Sequence, residues 1–497
     1  MPLAPQHRRA PATGGNPTPA RTRPLLSASA RLLVSRFSYG VTPALARQVT
    51  GRGGVREWFE WQFTPGQIPD RPLVGLDQWW PGLAYSGLDA WERHEAEVEP
   101  GWVLTANYQR WLLQRRMRTR RQVHEVMTEF WEHHLHVPAN GEPSFVYRKS
   151  YGDAIRANAL GTFEDLLQAT ILHPAMLILL NNAVSTKRHP NENLGRELLE
   201  LHTVGRGNHT EDDVKNCARI LTGWRVDMWD TWNAWYERED HWTGAVRVLG
   251  FSDQNGAADG RAVSRRLLSY LAHHPATAQR VARKLAVKFV RDNPPQALVD
   301  RLARVYLDNG TAIRPVLRAL VSSPEFQASD GLKVRTPVED IVATYRALGI
   351  KMRKPTREDS AANAVLWQCG AIGAYPLGWP RPDGMPQVNE AWATAARMMA
   401  SMQVHFGLSG GWWPDVDITF RKPVAWAPRL PIRFDELVDH ISRLTLHRKA
   451  TPTLLRACSE ALGVSERERI TRDHGVLKWE MARLLSTFLD SPTHYTR

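Results

Sequence analysis

The sequence predicts an all-α protein, an irregular multi-helix bundle with long ordered loops and few or no strands. Three observations carry this. Apolar residues recur at three- and four-residue spacing through most of the 497 residues, the pattern of helices with one buried face. Alternating β-branched runs are scarce. Helix starts are marked by a polar residue before proline, at His173-Pro174, His274-Pro275, Ser323-Pro324 and Ser491-Pro492. Proline suits the first helical turn because its missing N–H has no partner there, and it pushes the preceding residue out of the helical region.

In chain order, the periodicity predicts helices over 26–37, 104–135, 162–172, 175–181, 192–202, 211–222, 263–271, 277–290, 296–307, 313–320, 337–348, 391–404 and 475–489. The best strand candidate is the short stretch 246–251. Turns rich in proline and glycine separate the helices, at 137–143 and 375–384. The segments LRALVSSPEF and LLSTFLDSP echo one another before Ser-Pro, too briefly for a repeat architecture. Residues 1–25 are basic and rich in proline, glycine and alanine, with no apolar signal-peptide core, and are expected to be a disordered tail. Residues 26–497 then form one large helical domain, with sub-lobes 26–255 and 256–497 as an open alternative.

Composition sets the outer limits. Hydrophobic residues at 43% and charged residues at 23% are ordinary for a soluble globular protein. Three cysteines, Cys217, Cys369 and Cys458, offer no paired motif, so a reducing, cytoplasmic setting is expected. The net charge of +13 attracts acidic surfaces in general. The densest run, Arg110 to Arg121, points its arginines to nearly every side of a helix, and no nucleic-acid motif accompanies it. No transmembrane segment is expected, because the longest apolar stretch, 166–184, is broken by His173-Pro174.

Two stretches could carry chemistry. In HEVMTEFWEHHLHV, Glu125, Glu129, Glu132 and His136 share one helical face, with His133 at its edge. That face reads as solvated, or alternatively as metal-binding. His134 falls on the opposite, apolar face; it is either a core histidine bonded to main chain or a ligand or acid–base group facing a buried site. In HPNENLGRELLELHTVG, Asn191 caps a helix that starts at Glu192 and stops at Gly205. Asn193, Arg196, Glu197 and Glu200 gather on one face, with His202 at the end. Arg196 and Glu200 are spaced to pair. Two carboxylates three apart can hold a divalent metal if histidines arrive from elsewhere.

These blocks, with TEDDVKNCARILTGW, HWTGAVRVLG, HHPATAQRVARKLAVKFVRDNP, VRTPVEDIVATYRALG and GWPRPDGMPQVNEAW, resemble the bacterial family known as domain of unknown function 1800. The resemblance covers nearly the whole chain from Leu26. It places the family's histidine after an aromatic pair on His134. It also matches Asn191, Glu192, Asn193, Arg196, Glu197, Glu200, His202, Asp213, Arg219 and Trp224. The family's His-Asp falls on His241-Trp242 and its lysine on Arg247, so the aspartate is missing here. Many relatives look exported and are encoded beside a second family of secreted proteins, which implies a protein partner encoded nearby.

Three functions follow as expectations. One is a metal-assisted enzyme with candidate catalytic and metal-binding residues His134, Glu197, Glu200 and His202, and candidate binding residues Asn191, Asn193, Arg196, Asp213, Trp224 and His241; the cofactor is then a divalent metal. The second is a binding or scaffold protein in which these polar groups are structural. The third is a carbohydrate-directed protein, because Trp229, Trp232 and Trp235 are spaced along one helical face beside several carboxylates. No GxSxG, P-loop, strand-linked GxGxxG or HExxH motif is present, and Cys217 reads as a core residue.

Overall fold

The computed structural model describes residues 25–141 and 143–497. The expected tail, apart from Leu25, lies outside the described residues. Helices dominate, and the only sheets among the described residues are four two-stranded antiparallel pairs. A smaller apolar cluster gathers around Trp80, Tyr108 and Trp111, and the larger of the two draws residues from Leu26 to Leu489. It is crossed by contacts between distant segments: Arg36 donates to the Phe289 carbonyl at 2.9 Å, and Arg346 to that of Met117 at 2.8 Å.

Most helices begin where capping chemistry places them. His173 and His274 turn their Nδ1 atoms onto the N–H groups of Ala175 and Ala276, and the Ser323 hydroxyl accepts from Phe326. Each thereby satisfies a donor that the first turn leaves unpaired. Pro337–Leu348 opens with a reciprocal box between Thr336 and Glu339 and closes on Gly349 in the left-handed region.

The expected helices over 104–135 and 475–489 are each two. The first breaks between Gly101–Arg118 and Gln122–His134. Thr119 leaves the helical region, and the Asp70 carboxylate accepts both its hydroxyl and the Arg120 N–H. Periodicity cannot register such a corner, because the partner that holds it lies 50 residues away. The second breaks between Gly475–Lys478 and Met481–Leu489. The single strand expected over 246–251 is a hairpin, Val246–Val248 against Phe251–Asp253, turning through Leu249 at φ 54°. The tryptophan-rich stretch is likewise a hairpin, Trp224–Val226 against Ala234–Tyr236. Trp229 and Trp232 sit in its connection at φ 76° and 56°, so they do not share a helical face. Trp232 is buried, whereas Trp229 and Trp235 are exposed.

The acidic face of Gln122–His134 is not solvated. Glu125, Glu129 and Glu132 are buried and held by arginines from neighbouring helices. Arg115 and Arg156 reach Glu125 at 3.2 and 3.0 Å, Arg116 reaches Glu129 at 3.1 Å, and Arg148 reaches Glu132 at 3.3 Å. The hydroxyls of Tyr39 and Tyr108 donate to Glu129 and Glu132. Burying a carboxylate is tolerable only with such compensation. Helical spacing groups the acids on one face but says nothing of what covers that face. Two of the covering arginines belong to the basic run, which is thus turned inward.

Candidate functional site

The helix Glu192–Glu197 begins on Asn191, whose side chain accepts the Asn193 N–H at 2.9 Å. It packs closely on Glu211–Ile220, because Gly195 leaves its partner's backbone only 3.0 Å from where a Cβ would stand. It then widens into a π turn over Leu198–His202. Such turns place one extra residue per turn and are frequent at functional sites. Arg280, from the helix Pro275–Phe289, caps the turn at the Leu201 carbonyl. The chain stops at Gly205, φ 93°, whose N–H returns to the Leu199 carbonyl.

The π turn delivers His202 to His134. The two rings stand edge to face with centroids 6.2 Å apart. Each bonds the other's main chain: His134 Nε2 lies 3.0 Å from the His202 carbonyl, and His202 Nδ1 lies 3.0 Å from the His134 carbonyl. Nε2–H of His134 is therefore a donor, which leaves Nδ1 to accept, and Lys284 Nζ meets it at 2.9 Å. Burial pushes both imidazoles down, His202 to about 3, so both are neutral at pH 7. Burial, then Arg280, lowers the Lys284 amine to about 7, against a smaller opposing pull from Asp383.

Glu197 is half-buried nearby, its carboxyl raised first by burial and then by Glu200, with Asp383 contributing. Two acceptors here have no hydrogen-bond partner among the described residues, Glu197 Oε2 and His202 Nε2. The loop 379–384 packs against the neighbouring histidines His133 and His136. His136 Nε2 is 2.8 Å from the Trp379 carbonyl, and Gly384, φ 76°, presses against the His133 carbonyl, where a Cβ would stand 2.0 Å away.

The other expected site residues lie in different settings. Arg196 joins a surface ion-pair network with Glu211 at 2.7 Å, Glu192 at 3.3 Å and Glu200 at 3.7 Å. Glu200 also meets Arg206 at 3.0 Å. Asp213 completes a capping box with Thr210 and accepts the Leu249 N–H, fastening the hairpin turn. Trp224 donates to Ser264, and buried His241 is held by Asn255 at 2.9 Å and by Thr222. These contacts tie the hairpins to the helical body.

Sequence reasoning missed Lys284 and Asp383. Lys284 had a signal, since it lies beside the apolar stripe Val281, Ala282, Leu285 and Phe289 of its helix. It also missed a second buried cluster, Asp340, His405 and His494, whose side-chain ligand atoms lie within 4.8 Å of one another. Among the described residues this is the one group of three or more such side chains with metal-compatible spacing.

The architecture is thus a mostly α-helical protein in which a π turn, a paired set of histidines and a depressed lysine meet. The chain belongs to the family described as protein of unknown function (DUF1800), whose model matches residues 32–496. No curated protein and no solved structure matches it. No helix among the described residues is long and apolar enough to cross a membrane.

Proposed function

We propose that the protein is an enzyme whose acid–base site is formed by Lys284, His134, His202 and Glu197, with Asp383 at its rim. The observation that carries this is the Lys284 amine, half-buried and held 2.9 Å from a neutral His134. An amine near pH 7 is about half neutral at physiological pH and serves as base or nucleophile. His134 orients it, His202 Nε2 is a buried hydrogen-bond acceptor without a partner among the described residues, and Glu197 adds a carboxyl whose proton affinity burial raises. Strongly perturbed groups brought together by the fold are a usual mark of such sites. Glu200, Arg196, Asn191 and Asn193 support this constellation from outside, through the helix and its ion pairs. A divalent metal is not required by these four side chains, two of which spend ring nitrogens on main chain.

The test is pH-dependent labelling of the folded protein with an amine-directed sulfonate, read residue by residue by peptide mass spectrometry. Lys284 should label with a midpoint near 7, while surface lysines follow the ordinary value of about 10.4. A Lys284 midpoint near 10 refutes the reading. A His134→Ala variant should shift the midpoint, because the acceptor is gone.

A second reading, a glycan-binding protein, is favoured by one observation. A cleft of about 410 Å³ is lined by Trp102, Trp367 and Tyr375, all exposed, with Gln109, Arg110 and Asn140 among them. A neighbouring cleft of about 670 Å³ shares Trp367 and Tyr375 and adds Trp412 and Trp413. Flat aromatic faces beside polar side chains suit sugar rings. Tryptophan fluorescence titration with soluble oligosaccharides decides it: wild-type quenching that Trp367→Ala abolishes supports the reading, and no response to any of them removes it.

A further inference from the structure

We propose that Asp340, His405 and His494 bind one divalent transition-metal ion of the zinc class. The three side chains come from separate helices, Pro337–Leu348, Ala395–Gly410 and Pro492–Tyr495, and all are buried. His405 Nε2 lies 3.2 Å and His494 Nε2 3.4 Å from the same oxygen, Asp340 Oδ1. Zinc bonds of about 2.0–2.1 Å in a tetrahedron require donors roughly 3.3–3.4 Å apart. The two imidazole-to-carboxylate spacings meet that requirement.

The surroundings match as well. Asp490 accepts from His405 Nδ1 at 2.8 Å, the carboxylate–histidine arrangement that orients metal-ligating imidazoles and fixes their tautomer. The other oxygen of Asp340 is occupied by Arg397 and Ser401, each at 2.9 Å. That contact fixes the carboxylate and leaves Oδ1 facing the histidines. The Thr344 hydroxyl, 3.0 Å from His494 Nε2, is a further oxygen at the cluster. Two imidazole nitrogens on a single carboxylate oxygen exceed what one buried ion pair needs. Binding through His405 Nε2 needs that nitrogen free of hydrogen, so metal uptake releases any proton it carries. This cluster shares no residue with the Lys284 site, so either assignment can fail alone.

The experiment uses the full-length chain, free of any polyhistidine tag and stripped with chelator, then titrated with Co²⁺ or Zn²⁺. We expect one equivalent bound by elemental mass spectrometry and the intense visible bands of four-coordinate cobalt. Asp490→Asn keeps all three ligands and should weaken binding about 10- to 100-fold. His494→Ala should abolish it, while the surface control His474→Ala should not change it. Folded wild-type protein that takes up no cobalt overturns the proposal, as does undiminished binding by folded His494→Ala. If His494→Ala fails to fold, the wild-type cobalt spectrum and the Asp490→Asn affinity decide the matter.

Discussion

Replacing Glu132 by glutamine tests the account of the buried acidic face most severely. Glu132 and Arg148 are both fully buried, and Arg148 has no other carboxylate within ion-pair distance among the described residues. Its guanidinium otherwise rests on the rings of Tyr108 and Tyr151. Glu132→Gln therefore leaves a buried cation with aromatic faces but no counter-charge, which costs about 3–5 kcal/mol. At roughly 2.1 cal/mol/K per residue, unfolding this chain as one unit carries about 1 kcal/mol/K, so the melting temperature should fall by about 3–5 °C. The double variant Glu132→Leu/Arg148→Met removes both charges and should recover most of the loss. The exposed pair Arg196–Glu211 is the control: Glu211→Gln should cost far less, because solvent screens an exposed pair. The assay is scanning calorimetry with urea unfolding of all four proteins. A Glu132→Gln loss no larger than that of Glu211→Gln refutes the reasoning.

Other consequences are equally direct. Burial lowers the folded pKa of His202 to about 3, so the unfolded chain takes up a proton near pH 6.5 that the folded chain refuses. Its contribution to stability is present above pH 6.5 and is lost as pH falls towards 3, by about 2 kcal/mol at pH 5; urea midpoints across pH 5–7 should show a smaller slope in His202→Asn. Gly384→Ala puts a Cβ against the His133 carbonyl at a left-handed position, and should cost at least about 2 kcal/mol and raise hydrogen exchange in the 379–384 loop. Asp213→Ala removes the carboxylate half of the capping box, which accepts from Thr210, and the anchor of the Leu249 turn together; a loss of about 2 kcal/mol is expected in urea unfolding, against a few tenths for Asp212→Ala.

Legibility in the sequence followed the range of the interactions. Caps were readable because their partners sit two or three residues away, as with Asn191 and with the histidine-proline starts. The position of His134 on an apolar face was readable from helical spacing, and the same spacing brought Asn193, Arg196, Glu197 and Glu200 together. What lay across the face was not. Arginines from two other helices neutralise Glu125, Glu129 and Glu132, and only the folded chain decides that this face is interior. Lys284 meets His134 from 150 residues away, and the Asp340 cluster is assembled from three helices, each carrying one ligand of no local distinction. The π turn was invisible for a different reason, since its residues have ordinary helical propensities and the extra residue is accommodated by what packs on either side.

The exchange of bonds between His134 and His202 also bears on how the chain folds. It joins two segments 68 residues apart, and both bonds need the π turn and the end of the preceding helix to be in register first. Closing such a loop loses entropy before any contact rewards it, so the clasp belongs to the native side of the barrier. His202→Ala should then leave the refolding limb of the chevron nearly unchanged and raise the unfolding limb to faster rates. The clasp acts as a latch on lifetime: it governs how long the folded chain persists more than how fast it is reached.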